Sequence, residues 1–155
     1  MKTFTHRYTA VALLATAIFV SAAQAHDQHS DPQQAILRAA ESSPATLQKE
    51  LDNGVNINAT DNDYNTALMQ AAEDGNLSAV KALIAAGAEV NMRNEDAESA
   101  LILAAEEGHT DIVKVLIEAG ADIGAVDKDG ENAYSKAIKE NHPGTARAIR
   151  DACGM

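Results

Sequence analysis

His109, Thr110 and Asp111 are the residues that most resemble a catalytic set, because a histidine beside a hydroxyl and a carboxylate can carry out acyl transfer. They stand in a short loop that opens a helix, and this position favours a structural role. The sequence contains no Ser/His/Asp set, phosphate-binding loop or pair of catalytic carboxylates with a specific spacing. We therefore expect that the protein is not an enzyme.

Asp61, Asp63 and Asn65 have the opening spacing of a calcium-binding loop. Such a loop needs a glycine at its sixth position and a glutamate at its twelfth, where this sequence has Thr66 and Ala72. The segment therefore does not predict an EF-hand, and we expect no bound metal or cofactor.

Four side chains keep a metal or haem carrier open as an alternative. If the chain is cut after residue 25, His26 carries the free amine and could chelate copper together with His29, although a disordered tail is favoured there. His142 and Cys153 are further possible ligands. Cys153 is the only cysteine, so a disulfide could form only between two chains, which we keep as an alternative to simple packing.

Residues 1–25 have the pattern of a signal peptide. Lys2 and Arg7 precede an uncharged, mostly apolar run at 9–23, and residues 23–25 give the small-x-small pattern of a cleavage site. The run is shorter than the about 20 residues of a membrane span. We therefore expect export to the periplasm or secretion, with no membrane contact after cleavage, and an uncleaved anchor is the alternative.

The chain carries a net charge of −11, from 12 basic and 23 acidic residues. Lys2 and Arg7 are the two bases of the leader, which has no acid, so the rest of the chain has 10 bases against 23 acids, or −13. Nucleic acid and anionic lipid both need a positive surface, and this balance excludes them as partners. The length suits one domain.

A period of 33 residues organises the chain after the leader. Residues 66–75 align with residues 99–108 at this shift, and Gly54, Gly87 and Gly120 recur at the same interval. Within one period, the apolar residues fall on one face of each of two short helices. Neither helix can bury that face alone, so the units must stack. The sequence predicts an all-α solenoid of about four helix-turn-helix units with short hairpin turns and degenerate terminal caps, at 33–60, 61–93, 94–126 and 127–153.

These units resemble ankyrin repeats, whose signature has the same period and the pattern T-P-L-H-x-A. The pattern stands here as TALMQA, SALILA and NAYSKA, beginning at Thr66, Ser99 and Asn132. The resemblance implies a repeat domain over 33–155, preceded by a flexible segment at 26–32. Because proline and histidine are replaced in every copy, it also implies hairpins that are tied less firmly to the helices.

The resemblance further implies that a protein partner binds to the hairpin tips and first helices, which form a concave face. Sixteen positions of that face hold twelve acids and two bases, whereas the rest of the chain after the leader holds eleven acids and eight bases. Solubility alone would spread the charge evenly, so the uneven distribution favours a basic protein partner. The candidate partner-binding residues, with Tyr64 as the aromatic anchor, are Asp63, Tyr64, Asn65, Glu73, Asp74, Glu95, Asp96, Glu98, Glu106, Glu107, Asp129 and Glu131.

The chain also resembles small exported, periplasmic ankyrin-repeat proteins of bacteria, some of which are associated with catalase and peroxide defence. This resemblance implies an accessory role beside an antioxidant enzyme of the catalase type. An immunity or inhibitor protein that masks a cationic toxin or enzyme is the alternative use of the same acidic surface. We expect the protein to be a monomer.

Overall fold

The structure, a computed structural model, describes residues 32–154. These residues form eight helices in four pairs: α1 (Pro32–Ser42), α2 (Pro44–Asp52), α3 (Ala67–Glu73), α4 (Leu77–Ala85), α5 (Ala100–Glu106), α6 (Thr110–Glu118), α7 (Ala133–Lys139) and α8 (Pro143–Ala152). The predicted signal peptide at 1–25 lies outside the described residues, as does the predicted flexible segment at 26–32 except for its last residue. That residue, Pro32, begins α1, so the helical domain starts one position earlier than predicted.

The first helix of the second, third and fourth pairs begins at a polar residue. Thr66, Ser99 and Asn132 each accept a hydrogen bond from the backbone N–H three residues ahead, which satisfies one of the free donors at the start of a helix. These are the residues that open the three signature segments. Within residues 32–154, β-type pairing is limited to two isolated β-bridges. The predicted all-α repeat fold is therefore confirmed.

The helices form two layers. α1, α3, α5 and α7 stack side by side as the inner layer, and α4, α6 and α8 follow one another as the outer layer. Ala71, Ala104 and Ala137 lie one period apart in the inner layer, and each is fully buried. Their small side chains let neighbouring helices approach closely, while larger residues such as Leu83 and Leu116 fill the interior. The core therefore needs few aromatic side chains.

Carboxylate and amide side chains hold the hairpins between the pairs. Asp61 Oδ1 accepts hydrogen bonds from the backbone N–H groups of Asp63 at 2.9 Å and Asn65 at 2.8 Å. Asn94 and Asp127 stand one and two periods later and accept backbone N–H groups in the same way. The first residue of each of these hairpins thus accepts hydrogen bonds from backbone N–H groups of the same hairpin. These bonds do not require the histidine that is replaced in the signature.

Successive hairpins are also bonded to each other. The backbone N–H of Glu95 donates to the Asp63 carbonyl at 2.8 Å, and the N–H of Lys128 donates to the Asp96 carbonyl at 3.0 Å. Because these bonds join tip to tip, the hairpins of the last three units form one continuous edge.

Histidine rings cover the glycines of the loops inside the pairs. The His109 ring packs so closely on Gly75 that a Cβ added there would lie 2.6 Å from it, and its Nε2 lies 3.0 Å from the Glu73 carbonyl. The His142 ring packs on Gly108 in the same manner. His109 therefore has a structural role, as the sequence favoured, and the ring of His142 is likewise engaged in packing.

The last unit has the polar outer side expected of a cap. Arg150 stands one period after Ile117 and is exposed, whereas Ile117 is half-buried. A charged residue at this position agrees with the polar outer side that a terminal unit needs. Across residues 32–154, no helix combines the length and the apolar composition needed to cross a bilayer.

Candidate functional site

The twelve predicted partner-binding residues lie along the hairpin tips and at both ends of the inner helices, and we call this surface the acidic face. None of them is fully buried. The exposed members are Asp63, Tyr64, Asp74, Glu95, Asp96, Glu107 and Asp129, and the half-buried members are Asn65, Glu73, Glu98, Glu106 and Glu131. The half-buried members lie in clefts between neighbouring units, so the two groups have different roles.

Acids crowd the C-terminal ends of two inner helices. Glu73 ends α3 and Asp74 caps it, while Glu106 and Glu107 hold the same places on α5. The C-terminal end of a helix carries partial negative charge, so an acid there costs stability, about 0.3–1 kcal/mol each. Helix stability therefore does not explain these charges, which favours a role in binding for the two exposed members, Asp74 and Glu107.

Four exposed acids of the acidic face in the second and third units have no basic neighbour. Within residues 32–154, no basic nitrogen lies within 4.0 Å of a carboxylate oxygen of Asp63, Asp74, Glu95 or Glu107. Asp96 differs, because it lies 3.6 Å from Lys128, although such an exposed pair contributes little. The negative potential over the second and third units is therefore largely uncompensated.

Lys136 is the basic residue of this region that the sequence analysis missed. It is buried in α7, and its Nζ lies 3.2 Å from Glu106 Oε2 and Asp127 Oδ2, and 3.7 Å from Glu98 Oε1 and Glu131 Oε2. We call these five residues the Lys136 network. Because its carboxylates come from two successive units, the ammonium ties the third unit to the fourth. Glu98, Glu106 and Glu131 are thus partly neutralised within the protein and are not free charges for a partner.

The period contains a signal that could have located Lys136. Shifts of 33 and 66 residues place Lys136 over Leu103 and Gln70, so a charge appears where the earlier units have none. Its hairpin neighbour Asp127 likewise replaces the neutral Asn94 of the preceding unit. A lysine at a position that is uncharged in the earlier units, with an acid at the start of the same unit, indicates an ion pair.

The Lys136 network holds its members in their charged forms. Burial alone would lower the pKa of Lys136, but the Glu106 charge, hydrogen bonds to Glu106 and Asp127, and the Glu98 charge raise this pKa above its ordinary value. Burial would also raise the pKa of Asp127, but hydrogen bonds from the Glu131 backbone and Lys136 lower it. Both groups are therefore ionised at neutral pH.

The negative charge of Glu98 is only partly compensated by its neighbours. Burial raises the pKa of Glu98, and the charges of Glu106 and Asp96 act in the same direction, against the Asn94 hydrogen bond and the Lys136 charge. A raised carboxyl pKa means that the surroundings disfavour the negative charge. An additional positive group near Glu98 would therefore stabilise its ionised form.

A polar cleft opens between the hairpins and inner helices of the second and third units. It encloses about 80 Å³ and is lined by Asp63, Asn65, Glu73, Asn94, Glu95, Asp96, Glu98 and Leu103. Five of these eight residues are acids. Small-molecule pockets usually measure about 300–1,000 Å³ and are mostly apolar, so this cleft suits a charged side chain better than haem.

One group of acids has the spacing of a cation site. Asp127, Asp129 and Glu131 bring their carboxylate oxygens within 4.8 Å of one another. The Lys136 ammonium already lies beside two of these three residues, so the protein supplies its own cation there. Of the other candidate metal ligands, Cys153 is exposed, whereas His26 and His29 lie outside the described residues.

Tyr64 occupies an unusual backbone conformation at the tip of the second hairpin. Its φ is +64°, in the left-handed region, and its equivalents one and two periods later are Ala97 (φ +61°) and Gly130 (φ +78°). A non-glycine residue in this region costs about 1–2 kcal/mol. The side chain nevertheless remains 60% exposed. A large aromatic residue that is strained and yet open to solvent favours a role in contact with a partner.

Replacing Tyr64 with glycine separates the energetic cost of its left-handed backbone conformation from the contribution of its ring to binding. Tyr64→Gly is expected to leave the free energy of unfolding unchanged or to raise it by up to about 1 kcal/mol, because released strain is offset by the greater freedom of glycine in the unfolded chain. The same variant should weaken partner binding about tenfold or more, as loss of an aromatic anchor does. Denaturant unfolding and a binding titration measure the two effects.

Ala97→Gly is the matched control for this variant, since it relieves the same backbone conformation without removing an aromatic ring. It should change stability in the same direction and leave binding within about twofold of the original. Equal losses of binding in both variants would show that hairpin rigidity, and not the Tyr64 ring, matters.

Comparison with known families agrees with the helical repeats and hairpins described above. The family model described as ankyrin repeats (3 copies) matches residues 8–94, 36–127 and 68–154. The chain therefore belongs to the ankyrin-repeat family, whose members are protein–protein interaction modules and typically non-catalytic scaffolds. A comparison with curated proteins gives no match.

Proposed function

We propose that this chain is an exported, non-catalytic binding module that captures a basic protein partner on its acidic face. Family membership supports a protein partner, since ankyrin repeats mediate protein–protein interaction. The observation that carries the basic partner is a set of four exposed acids in the second and third units that have no basic neighbour in residues 32–154: Asp63, Asp74, Glu95 and Glu107. A partner with a positive surface would neutralise them.

Charge acts first in this mechanism. A single-sign surface attracts an oppositely charged protein, raises the association rate and orients the encounter. Tyr64 then contributes close contact, because buried aromatic residues supply much of the affinity of protein interfaces. The Lys136 network keeps the third and fourth units in register, so that the acidic face is presented as one preformed surface.

For the partner, we propose an exported enzyme of the antioxidant, catalase type, to which this chain is an accessory protein. The leader pattern of residues 1–25 supports the export that this proposal requires. Export also places the acidic face in a compartment where it meets folded, secreted proteins.

Affinity capture with the tagged protein, expressed with its leader in its own cell, tests this function. Bound proteins are identified by mass spectrometry at about 0.05 M and about 0.5 M salt, which changes screening of exposed charges severalfold. We expect a basic protein partner at near-equal amount in low salt and its loss in high salt. A toxin or enzyme that is inhibited when captured would indicate the immunity function instead. Stoichiometric metal or haem without any protein partner would contradict the proposal.

A further inference from the structure

The hairpin tips of the second, third and fourth units are turns of the same construction. Each turn is closed by a hydrogen bond from the backbone N–H of its fourth residue to the carbonyl of its first, at 3.2, 3.0 and 3.1 Å in chain order. The turns span residues 61–64, 94–97 and 127–130. Asn62, Glu95 and Lys128 are therefore equivalent, and each is the second residue of its turn.

The backbone N–H at this second position joins a hairpin to the hairpin before it. Glu95 donates to the Asp63 carbonyl at 2.8 Å and Lys128 to the Asp96 carbonyl at 3.0 Å, so the acceptor is each time the third residue of the preceding turn. Asn62 is exposed, and no acceptor in residues 32–154 lies within hydrogen-bonding distance of its backbone N–H. The hairpin edge of the second unit is therefore open at a donor that the next two units use to bind a neighbouring main chain.

The two residues that follow this donor have side chains suited to contact with a partner. Asp63 is exposed and has no basic neighbour in the part of the chain that the structure describes. Tyr64 is 60% exposed. Its equivalents are Ala97 and Gly130, so among the three tips the aromatic ring stands beside the donor that has no acceptor. We call residues 62–64 the open tip.

We propose that an extended segment of the basic partner lies along the open tip, with one of its backbone carbonyls accepting a hydrogen bond from the Asn62 N–H. This inference rests on the proposed function, and it adds to it a main-chain contact at a specific edge. A lysine or arginine next to that carbonyl meets the Asp63 carboxylate, and the Tyr64 ring packs on the segment. In such strand addition, main-chain hydrogen bonds supply affinity and side chains select the sequence.

Charge favours the partner over two other chains that can supply a carbonyl. A second copy can offer the Asp129 carbonyl, which continues the series of acceptors and has no donor within residues 32–154. The chain after the leader carries −13, however, and this contact would bring Asp129 towards Asp63, so two copies repel each other there. Residues 26–31 of the same chain contain two acids and no lysine or arginine. A basic partner compensates Asp63 better than either.

NMR titration of the purified, ¹⁵N-labelled protein with the blocked peptide acetyl-Lys-Val-Lys-Val-Lys-amide tests the proposal. Its alternating valines favour an extended conformation. We expect the amide proton of Asn62 to move downfield as it gains a hydrogen bond, together with shift changes at Asp63 and Tyr64. A peptide with glutamine in place of each lysine should bind about tenfold more weakly. Equal binding of the two peptides would overturn the basic character of the segment.

Asn62→Pro gives the sharpest variant, because proline lacks the N–H and is favoured at the second residue of common β-turns. Since this N–H has no acceptor in residues 32–154, the fold should be kept and the midpoint of denaturant unfolding should not fall. Asn62→Ala is the matched reference, which also removes the side chain but retains the N–H. Asn62→Pro should bind the peptide about three- to tenfold more weakly than Asn62→Ala, the effect of one lost hydrogen bond. Equal binding by the two variants would overturn the main-chain contact.

Amide hydrogen exchange of the unaltered protein guards against failure of Asn62→Pro to fold. The Asn62 N–H should exchange rapidly in the free protein and severalfold more slowly with the peptide bound. Slow exchange without peptide would show that residues 26–31 or a second copy already cover the donor, and it would overturn the proposal. Peptide binding that leaves the Asn62 amide unchanged, or no binding at all, also overturns the contact at the open tip. The capture experiment then decides the acidic-face function separately.

Discussion

Lys136→Met is expected to lower the free energy of unfolding by about 3 kcal/mol at neutral pH, the cost of leaving a buried charge without its partner. Lys136 and Asp127 side chains are 9% and 4% exposed, so water cannot replace the missing ammonium beside this carboxylate. The three glutamates around them are more exposed and are expected to relax. Methionine fills most of the space of the lysine stem, so the loss reports charge more than packing.

The pH dependence of this loss follows from the direction of the pKa shifts. The pKa of Asp127 is lowered on folding, so its contribution is present above the ordinary value of 3.8 and is lost as the pH falls through the lowered pKa. The pKa of Lys136 is raised, so its contribution is complete below 10.5 and disappears only at a pH above that value. Without the lysine, the carboxylates repel one another, and the variant regains stability relative to the original as acid protonates them.

Denaturant unfolding at pH 7 and at about pH 3 measures both effects. The difference between Lys136→Met and the original protein should shrink at the lower pH. Lys139→Met is the control, because that exposed lysine pairs with Glu131 at 2.8 Å and should change stability little. A difference of the same size at both pH values would show that lost packing, rather than the ion network, causes the effect.

The third unit indicates which second substitution should compensate for the loss of Lys136. The third unit has Asn94 and Leu103 where the fourth has Asp127 and Lys136. Lys136→Leu combined with Asp127→Asn should therefore recover more than half of the stability lost in Lys136→Leu alone, since the buried charge is removed together with its partner. No recovery in the double variant would contradict the assignment of Asp127 as the main partner.

Reversing four exposed acids of the acidic face is expected to reduce partner binding by at least about a hundredfold. The four changes are Asp63→Lys, Asp74→Lys, Glu95→Lys and Glu107→Lys. These residues have no basic neighbour in residues 32–154, so the reversal breaks no ion pair there. Asp74 and Glu107 lie at helix C-terminal ends, where lysine is more favourable than an acid, so the fold should be retained.

The matched control reverses four acids on second helices of the units, with the same change in total charge: Glu50, Asp52, Asp111 and Glu118 to lysine. Captured partner is quantified for both variants at low salt, with circular dichroism to check folding. We expect the control to keep most of its binding. Equal losses in the two variants would show that net charge alone, and not the acidic face, governs binding.

The period made most of this fold predictable. It located the helices and the glycines between them, because each unit must form the same contacts with its neighbours. It also placed Tyr64 at a hairpin tip, in a position where the repeat prefers glycine, and the left-handed backbone there agrees with that preference.

Lys136 was harder to predict, because its importance depends on stacking. Its ammonium reaches carboxylates from its own unit and from the unit before, and the distance between units is a property of packed helices rather than of spacing along the chain. A count of charges on the acidic face therefore treated Glu98, Glu106 and Glu131 as free. The structure divides the acids of this face into those that Lys136 partly neutralises and those that are exposed to solvent.

Zero-length crosslinking of carboxylates to lysines in the captured complex tests the central claim most directly. A carbodiimide joins an acid of this protein to a lysine of the partner only where the two are in contact, and mass spectrometry then identifies both residues. We predict crosslinks from Asp63, Asp74, Glu95 and Glu107 to lysines of the partner. Crosslinks that arise instead from Glu50, Asp52, Asp111 or Glu118, with none from the acidic face, would contradict the proposed binding surface.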